Sequence, residues 1–209
     1  MPNSPKYYIY ISDTKVDMLY NQIPSQRLRE FSGEFKIDLK IIGASLNKSS
    51  QEQNRYTKVR LVTDYLQRNG DCGTIVKPLI YFYGSLPIRW GTLGNKLVYF
   101  GGSEGNTILG LGGSKYHILG EQKDINNPSS GLWSSSSALE IIQQLENISL
   151  EDNFHPAKLN LRLIASATKE LKGQVQKCEF LAKALIHQFD RERNIYLLIG
   201  SPIYVALLE

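Results

Sequence analysis

Residues 85–120 read SLPIRWGTLGNKLVYFGGSEGNTILGLGGSKYHILG, and this stretch decides the fold. Ten of the chain's 17 glycines fall between Gly84 and Gly120, and strand-like segments lie among them: Leu79–Tyr83, Lys96–Phe100, Thr107–Leu111 and Tyr116–Leu119. Glycine weakens a strand, because it packs no side chain and surrenders the most backbone entropy on ordering. Short strands punctuated by it read as an antiparallel meander or partial barrel that bends sharply. Residues 74–120 are expected to form this glycine-rich β segment.

Working outward, Lys6–Ser12 (KYYIYIS) is aromatic and β-branched, the composition of a buried strand. Thr14 with Asp17 has the form of a capping box opening a short helix. A second helix is expected over Gln26–Phe35, a half-buried strand over Phe35–Leu46, and an amphipathic helix over Asn54–Asn69, with Tyr56, Val59, Val62 and Leu66 on one face. On the carboxyl side, residues 121–137 are polar and serine-rich, a flexible surface loop. Helices follow over Ser137–Asn147 and from Pro156 to about Leu171. Cys178, Leu181, Ala182, Leu185, Ile186 and Phe189 make a helical stripe over residues 174–189. Strands are expected at Ile195–Ile199 and Ile203–Leu208, separated by Gly200-Ser201-Pro202. Both chain ends are apolar strands, and pairing them in one sheet buries both. The architecture is a single α+β domain over residues 1–209: a central mixed sheet including both terminal strands, with helices packed on it.

Composition sets the outer limits. The 209 residues are 42% hydrophobic and 21% charged, enough apolar material for a core without metal or disulfide staples. Cys72 and Cys178 share no metal-ligand spacing and imply a reducing compartment. The amino terminus lacks a signal sequence, and no run approaches the roughly 18 apolar residues of a membrane span, so a cytoplasmic protein without membrane insertion is expected. A net charge of +4 permits an anionic ligand but is not a nucleic-acid-binding signature.

Chemistry has two candidate locations. In the first, Gly112, Gly113, Ser114, Lys115 and His117 place backbone donors, a hydroxyl, an ammonium and an imidazole close together. Gly110–Lys115 lacks the Walker spacing and no helix start follows, so it is not a P-loop. On a strand, Lys115 and His117 share a face suited to phosphate. Arg89 and Trp90 add a guanidinium beside an indole, a pair used to neutralise and stack nucleotides. The competing explanation is structural: glycines that bend a sheet and a tryptophan that anchors it. The second location follows the first strand, where Asp13 and Lys15 stand at the mouth of a crevice. Asp13 and Asp17, four apart, are weak candidates for holding Mg²⁺, against the commoner role of acids that complement a helix dipole. No zinc spacing and no nucleophile elbow is present.

The blocks KYYIYISDTKVDML, LPIRWG, YFGG with GLGGSKYHILG, and GSPIYVALL together resemble a family of uncharacterised bacterial proteins of about this length. The resemblance implies one soluble domain and a loose link to nucleotide signalling or antiphage defence. It brings no catalytic assignment.

The expectation is a ligand-binding module for a nucleotide-like anionic small molecule, such as a signalling cyclic nucleotide, with no cofactor beyond an optional Mg²⁺. Its residues are Arg89, Trp90, Gly112, Gly113, Ser114, Lys115, His117, Asp13 and Lys15. One alternative is a nuclease or phosphodiesterase using His117 as acid or base and Lys115 to stabilise charge. The other is a non-catalytic protein-interaction subunit, and an oligomer is compatible with all three.

Overall fold

The computed structural model describes residues 6–35, 48–93, 97–120, 164, 167–169, 171 and 173–208. Its seven strands are β1 (Tyr7–Ile11), β2 (Cys72–Thr74), β3 (Tyr81–Leu93), β4 (Leu97–Glu104), β5 (Thr107–Ser114), β6 (Gln176–Asp190) and β7 (Ile195–Leu207). The helices are α1 (Asp13–Tyr20), α2 (Ser25–Phe35) and α3 (Lys48–Arg68), with a 3₁₀ turn at Lys115–His117.

β7 is the spine. One of its edges pairs with β6 along the whole strand, from Cys178↔Leu207 to Asp190↔Ile195. The other edge is shared: β5 runs parallel to its first half (Thr107↔Tyr196 to Leu111↔Gly200), and β1 runs antiparallel to its second (Ile11↔Tyr204 to Tyr7↔Leu207). β3 also divides its pairing, with β6 along Tyr81–Ile88 and with β4 along Ile88–Leu93. The order β3-β4-β5-β7-β6 therefore returns to β3 and closes a five-stranded ring, to which β1 and β2 are added. Staggered pairing of this kind lets a small sheet coil shut. Both terminal strands pair with each other, as their apolar composition demands.

Inward-facing alternate residues fill the ring: Phe82, Leu86 and Ile88 of β3, Val98 and Phe100 of β4, Leu109 and Leu111 of β5, and Phe180, Leu198 and Val205 opposite. The outside is covered in two places. Val16 and Leu19 of α1, Ile23 and Phe31, and Val59, Val62 and Leu66 of α3 lie over Leu181, Ile203, Tyr204 and Ala206. Ile164, Ala167 and Leu171 lie over Leu93, Tyr99, Leu197 and Ile199. Here the glycines of β4 and β5 have a packing role. A Cβ at Gly101 would stand 2.3 Å from Thr168 Oγ1, and one at Gly110 would stand 2.9 Å from Ile164 Cδ1. Only bare backbone admits Ile164 and Thr168 at that distance.

Five expectations change. The two strands expected on either side of Gly200-Ser201-Pro202 are one continuous strand, β7, which runs through it. Residues 174–189 form strand β6, not a helix. Its first half is buried on both faces, Cys178, Phe180 and Ala182 inward and Glu179 and Leu181 outward, so it shows no alternation. Irregularities in its pairing at Leu181/Ala182 and Ala184/Ile186 then shift the period and imitate helical spacing. Tyr116–Leu119 is not a strand: the 3₁₀ turn precedes a single bridge from Ile118 to Tyr10. The first strand of the glycine-rich segment runs on to Leu93 through Pro87, which pairs with Lys177 on one edge before β4 joins the other at Ile88. α1 begins at Asp13, and Ser12 at its cap makes no side-chain capping bond. The expected strand after Phe35, the 121–137 loop and the 137–147 helix lie outside the described residues, as does most of the helix expected from Pro156.

Candidate functional site

Between Gly200, paired with Leu111, and Tyr204, paired with Ile11, β7 changes neighbour. Backbone groups at such a change need other partners. Ser12 N–H donates to Ile203 O at 2.9 Å, which carries the chain into α1. From the first turn of α1, Lys15 Nζ donates to Pro202 O at 2.9 Å and to Ser201 Oγ at 2.6 Å. Ser201 Oγ in turn lies 3.5 Å from Gly112 O, at the end of β5. Lys15 thus bridges the seam where three strands meet. Burial, with the charge of Lys183 added, pushes its ammonium down to about 8. Lys183, which is exposed, has its backbone paired with Ser201 across the ladder, and its charge lies near enough to act on Lys15. Among the described residues neither forms an ion pair.

The acids of α1 are differently placed. Asp13 receives both arms of Arg55, at 2.7 and 2.9 Å, and Asp17 receives Lys58 at 2.6 Å. Each carboxylate is matched by a cation from α3 instead of converging on a common site. Among the described residues no group of three His, Cys, Asp or Glu side chains is placed to hold a metal ion.

Gly112, Gly113 and Ser114 keep their ladder to β4 on one edge, while pairing with β7 stops at Leu111. Gly113 admits Tyr10, whose hydroxyl would stand 2.3 Å from a Cβ there. The Tyr10 hydroxyl and Ser114 Oγ are both buried and find no hydrogen-bond partner among the described residues. Burial pushes the Tyr10 phenol far up despite the nearness of Ser12 and of the Ser114 backbone. Lys115 and His117 are half-buried in the 3₁₀ turn, and the His117 ring meets Tyr10 edge-on at 5.9 Å. Arg89 and Trp90, being adjacent on a strand, face opposite ways. Trp90 stacks on Phe100 at 5.9 Å, Phe100 meets Tyr10 at 5.6 Å, and Arg89 is exposed. The structure therefore brings Lys15 to Ser201 beside Gly112, and His117 to Tyr10, which packs at Gly113. Trp90 joins them through core rings, and Arg89 stands apart.

Sequence reasoning missed Ser201 and Lys183, and the interruption Gly200-Ser201-Pro202 was the one signal for the former. It also missed Glu179, a buried carboxylate on the outer face of β6. Glu179 accepts from Tyr204 at 2.7 Å, from Tyr83 at 3.0 Å and from Lys6. Burial raises its pKa, but the donations from Lys6, Tyr204 and Tyr83 outweigh that and hold it below the usual carboxylate range.

These features define a closed β-ring protein in which Lys15 bonds to β7 where the strand changes neighbour. The chain belongs to a family of unknown function, DUF7019, whose model matches residues 6–209. No curated protein and no solved structure matches it. No helix among the described residues is long and apolar enough to cross a membrane.

Proposed function

We propose that this protein is a ligand-binding module for a nucleotide-like anionic small molecule, held at the seam by Lys15 and Lys183. The observation that carries the reading is the Lys15 ammonium, held on Ser201 and Pro202 with the charge of Lys183 nearby and no carboxylate partner for either among the described residues. A largely buried cation lacking a counter-charge is costly, and a phosphate offers that charge and strong acceptors at once. The Ser114 hydroxyl, without a hydrogen-bond partner among the described residues and a step along β5, offers a further donor for a ligand or its bound water. His117 closes this side through Tyr10, and Trp90 supports it from the core. The resemblance of the sequence blocks extends the reading to a signalling nucleotide met in the cytoplasm, within a bacterial regulatory or antiviral system.

The test is thermal stability against mono-, di- and cyclic oligonucleotides, for the wild type and for Lys15→Met and Lys183→Met. A ligand present at about 100 times its dissociation constant stabilises the fold by roughly 2.7 kcal/mol, a readily visible shift. Both substitutions are expected to remove most of the shift. A panel without any shift, or a shift indifferent to both lysines, overturns the reading.

A further inference from the structure

Glu179 sits in a row of short side chains on the outer face of the sheet. Across the ladders it pairs with Ser85 of β3 and Ala206 of β7, and Ala206 pairs in turn with Tyr8 of β1. In the next row on that face, Tyr83 and Tyr204 stand on either side of Leu181. The short neighbours leave the carboxylate framed by phenols. Tyr204 donates to Oε1 at 2.7 Å, Tyr83 donates to Oε2 at 3.0 Å, and Tyr8 meets the Tyr204 ring edge-on at 5.4 Å. Glu179 is 6% exposed, whereas Tyr8 and Tyr83 are half-buried, so the arrangement is buried at its carboxylate and reaches solvent at its rim.

The cation that meets this carboxylate comes from the chain itself. Lys6, the residue before β1, donates to Glu179 Oε1 and holds its Nζ 5.6 Å from the centroid of the Tyr204 ring. A buried carboxylate needs a counter-charge, and a tyrosine face adds attraction for a cation. Yet the occupant is lightly held. Its side chain is 38% exposed, its backbone precedes the ladder that begins at Tyr7↔Leu207, and Tyr7 beside it is 67% exposed. A carboxylate accepts about four hydrogen bonds, and among the described residues Tyr204, Tyr83 and Lys6 supply donors. Oε2, with Tyr83 on it, keeps room for a further donor while Lys6 is still in place.

We propose that Glu179, Tyr83, Tyr204 and Tyr8 form a binding site for an aliphatic primary ammonium, the group carried by a polyamine or a lysine side chain, and that Lys6 is its tethered competitor. The carboxylate sets the class of ligand, because its open acceptor position calls for an N–H donor. A quaternary ammonium brings the rings the same charge but has no hydrogen to donate. Entry of an external amine displaces Lys6 and frees the start of β1 from β6, while the ladder between β1 and β7 stays intact. Tethering keeps Lys6 at a high effective concentration, so the affinity for an external amine is reduced by the fraction of molecules in which the site is vacated. The site uses neither Lys15 nor Ser201 and does not depend on the anion reading.

The experiment is a chemical-shift titration of the isotope-labelled full chain with propylammonium chloride at constant ionic strength. Lys6→Ala removes the competitor and is expected to bind propylammonium roughly tenfold more tightly than the wild type does. Adding Glu179→Gln to that variant is expected to abolish binding. Tetramethylammonium on Lys6→Ala tests the same point without altering Glu179, and no binding is expected. In the wild type, bound propylammonium is expected to speed amide exchange at Tyr7 and Tyr8, whereas an anion at Lys15 slows it, so the two sites succeed or fail separately. Spermidine and acetyl-lysine amide, titrated in parallel, distinguish a free polyamine from the lysine of a protein by which binds Lys6→Ala more tightly than propylammonium. Absence of binding by Lys6→Ala, or equal binding of tetramethylammonium, overturns the site. A wild type that shows no response at about a hundred times the dissociation constant of Lys6→Ala overturns the competition and leaves Lys6 a fixed structural partner of Glu179.

Discussion

Lys15 titrates inside the range where ligand binding is measured, and its two effects have opposite signs. In the folded chain it loses its proton near pH 8, against an ordinary 10.5 when unfolded. An anion needs the protonated form, so its affinity should fall as pH rises past about 8, toward tenfold per pH unit for one required proton. The unliganded protein should behave in the opposite sense. Between about pH 8 and 10.5 the unfolded chain binds the extra proton, so stability rises with pH across that window. Lys15→Met should flatten both curves, measured by titration calorimetry and by denaturant melts; a wild-type affinity constant from pH 7 to 10 would remove Lys15 from the site. Glu179 shows the other sign. Its pKa is depressed, so its contribution is present above the unfolded carboxylate range and is lost as pH falls through the folded value. Glu179→Ala strips the acceptor from the buried Tyr204 hydroxyl and from Tyr83, and leaves Lys6 without its counter-charge. A destabilisation of about 3 kcal/mol is expected in urea melts, with Glu179→Gln costing less and weakening the acid dependence. At this scale the sequence was only partly legible. Lys15 and Ser114 stood out as polar groups beside apolar runs, but Lys183 and Ser201 acquire meaning only when β6 and β7 pair.

Elements were legible where one face is wet. α3 was recognised from its apolar stripe, because the other side of it meets water. β6 was misread because its first half lies between the ring interior and the helix layer, where no alternation survives. The glycine run pointed correctly to a bent, barrel-like β structure, though not to its closure, and much of its detail reflects close packing. Gly101→Ala should therefore destabilise the fold by roughly 1–3 kcal/mol, since the new Cβ meets Thr168 Oγ1 at 2.3 Å. Tyr99 Cε1, at 2.8 Å, adds to the crowding, so Thr168→Ala should recover only part of the loss. A double-mutant cycle should give a coupling of about 0.5–3 kcal/mol between the two positions. Strict additivity would mean that the helical residues near 168 do not rest on β4 as described.

The ring closes through contacts distant in sequence, such as Ser85 with Glu179 and Thr107 with Tyr196, so no half of the β structure encloses its core alone. β1 is different: a short strand on the spine, it carries α1 and hence Lys15. Amide exchange should divide accordingly, with β3, β6 and β7 opening only on global unfolding and β1 opening at lower cost. The seam gives this difference a functional consequence. An anion held between Lys15 and Lys183 would tie α1 to the outer face of β6 and β7, so it would oppose the local release of β1 as well as global unfolding. Bound ligand should therefore slow exchange in residues 7–20 more than in β4, whose opening already requires the whole ring to break. Exchange measured by mass spectrometry with and without the best anion from the melting panel reads this directly. Protection that rises equally in β4 and in residues 7–20 would show that the anion stabilises the fold from somewhere other than the seam.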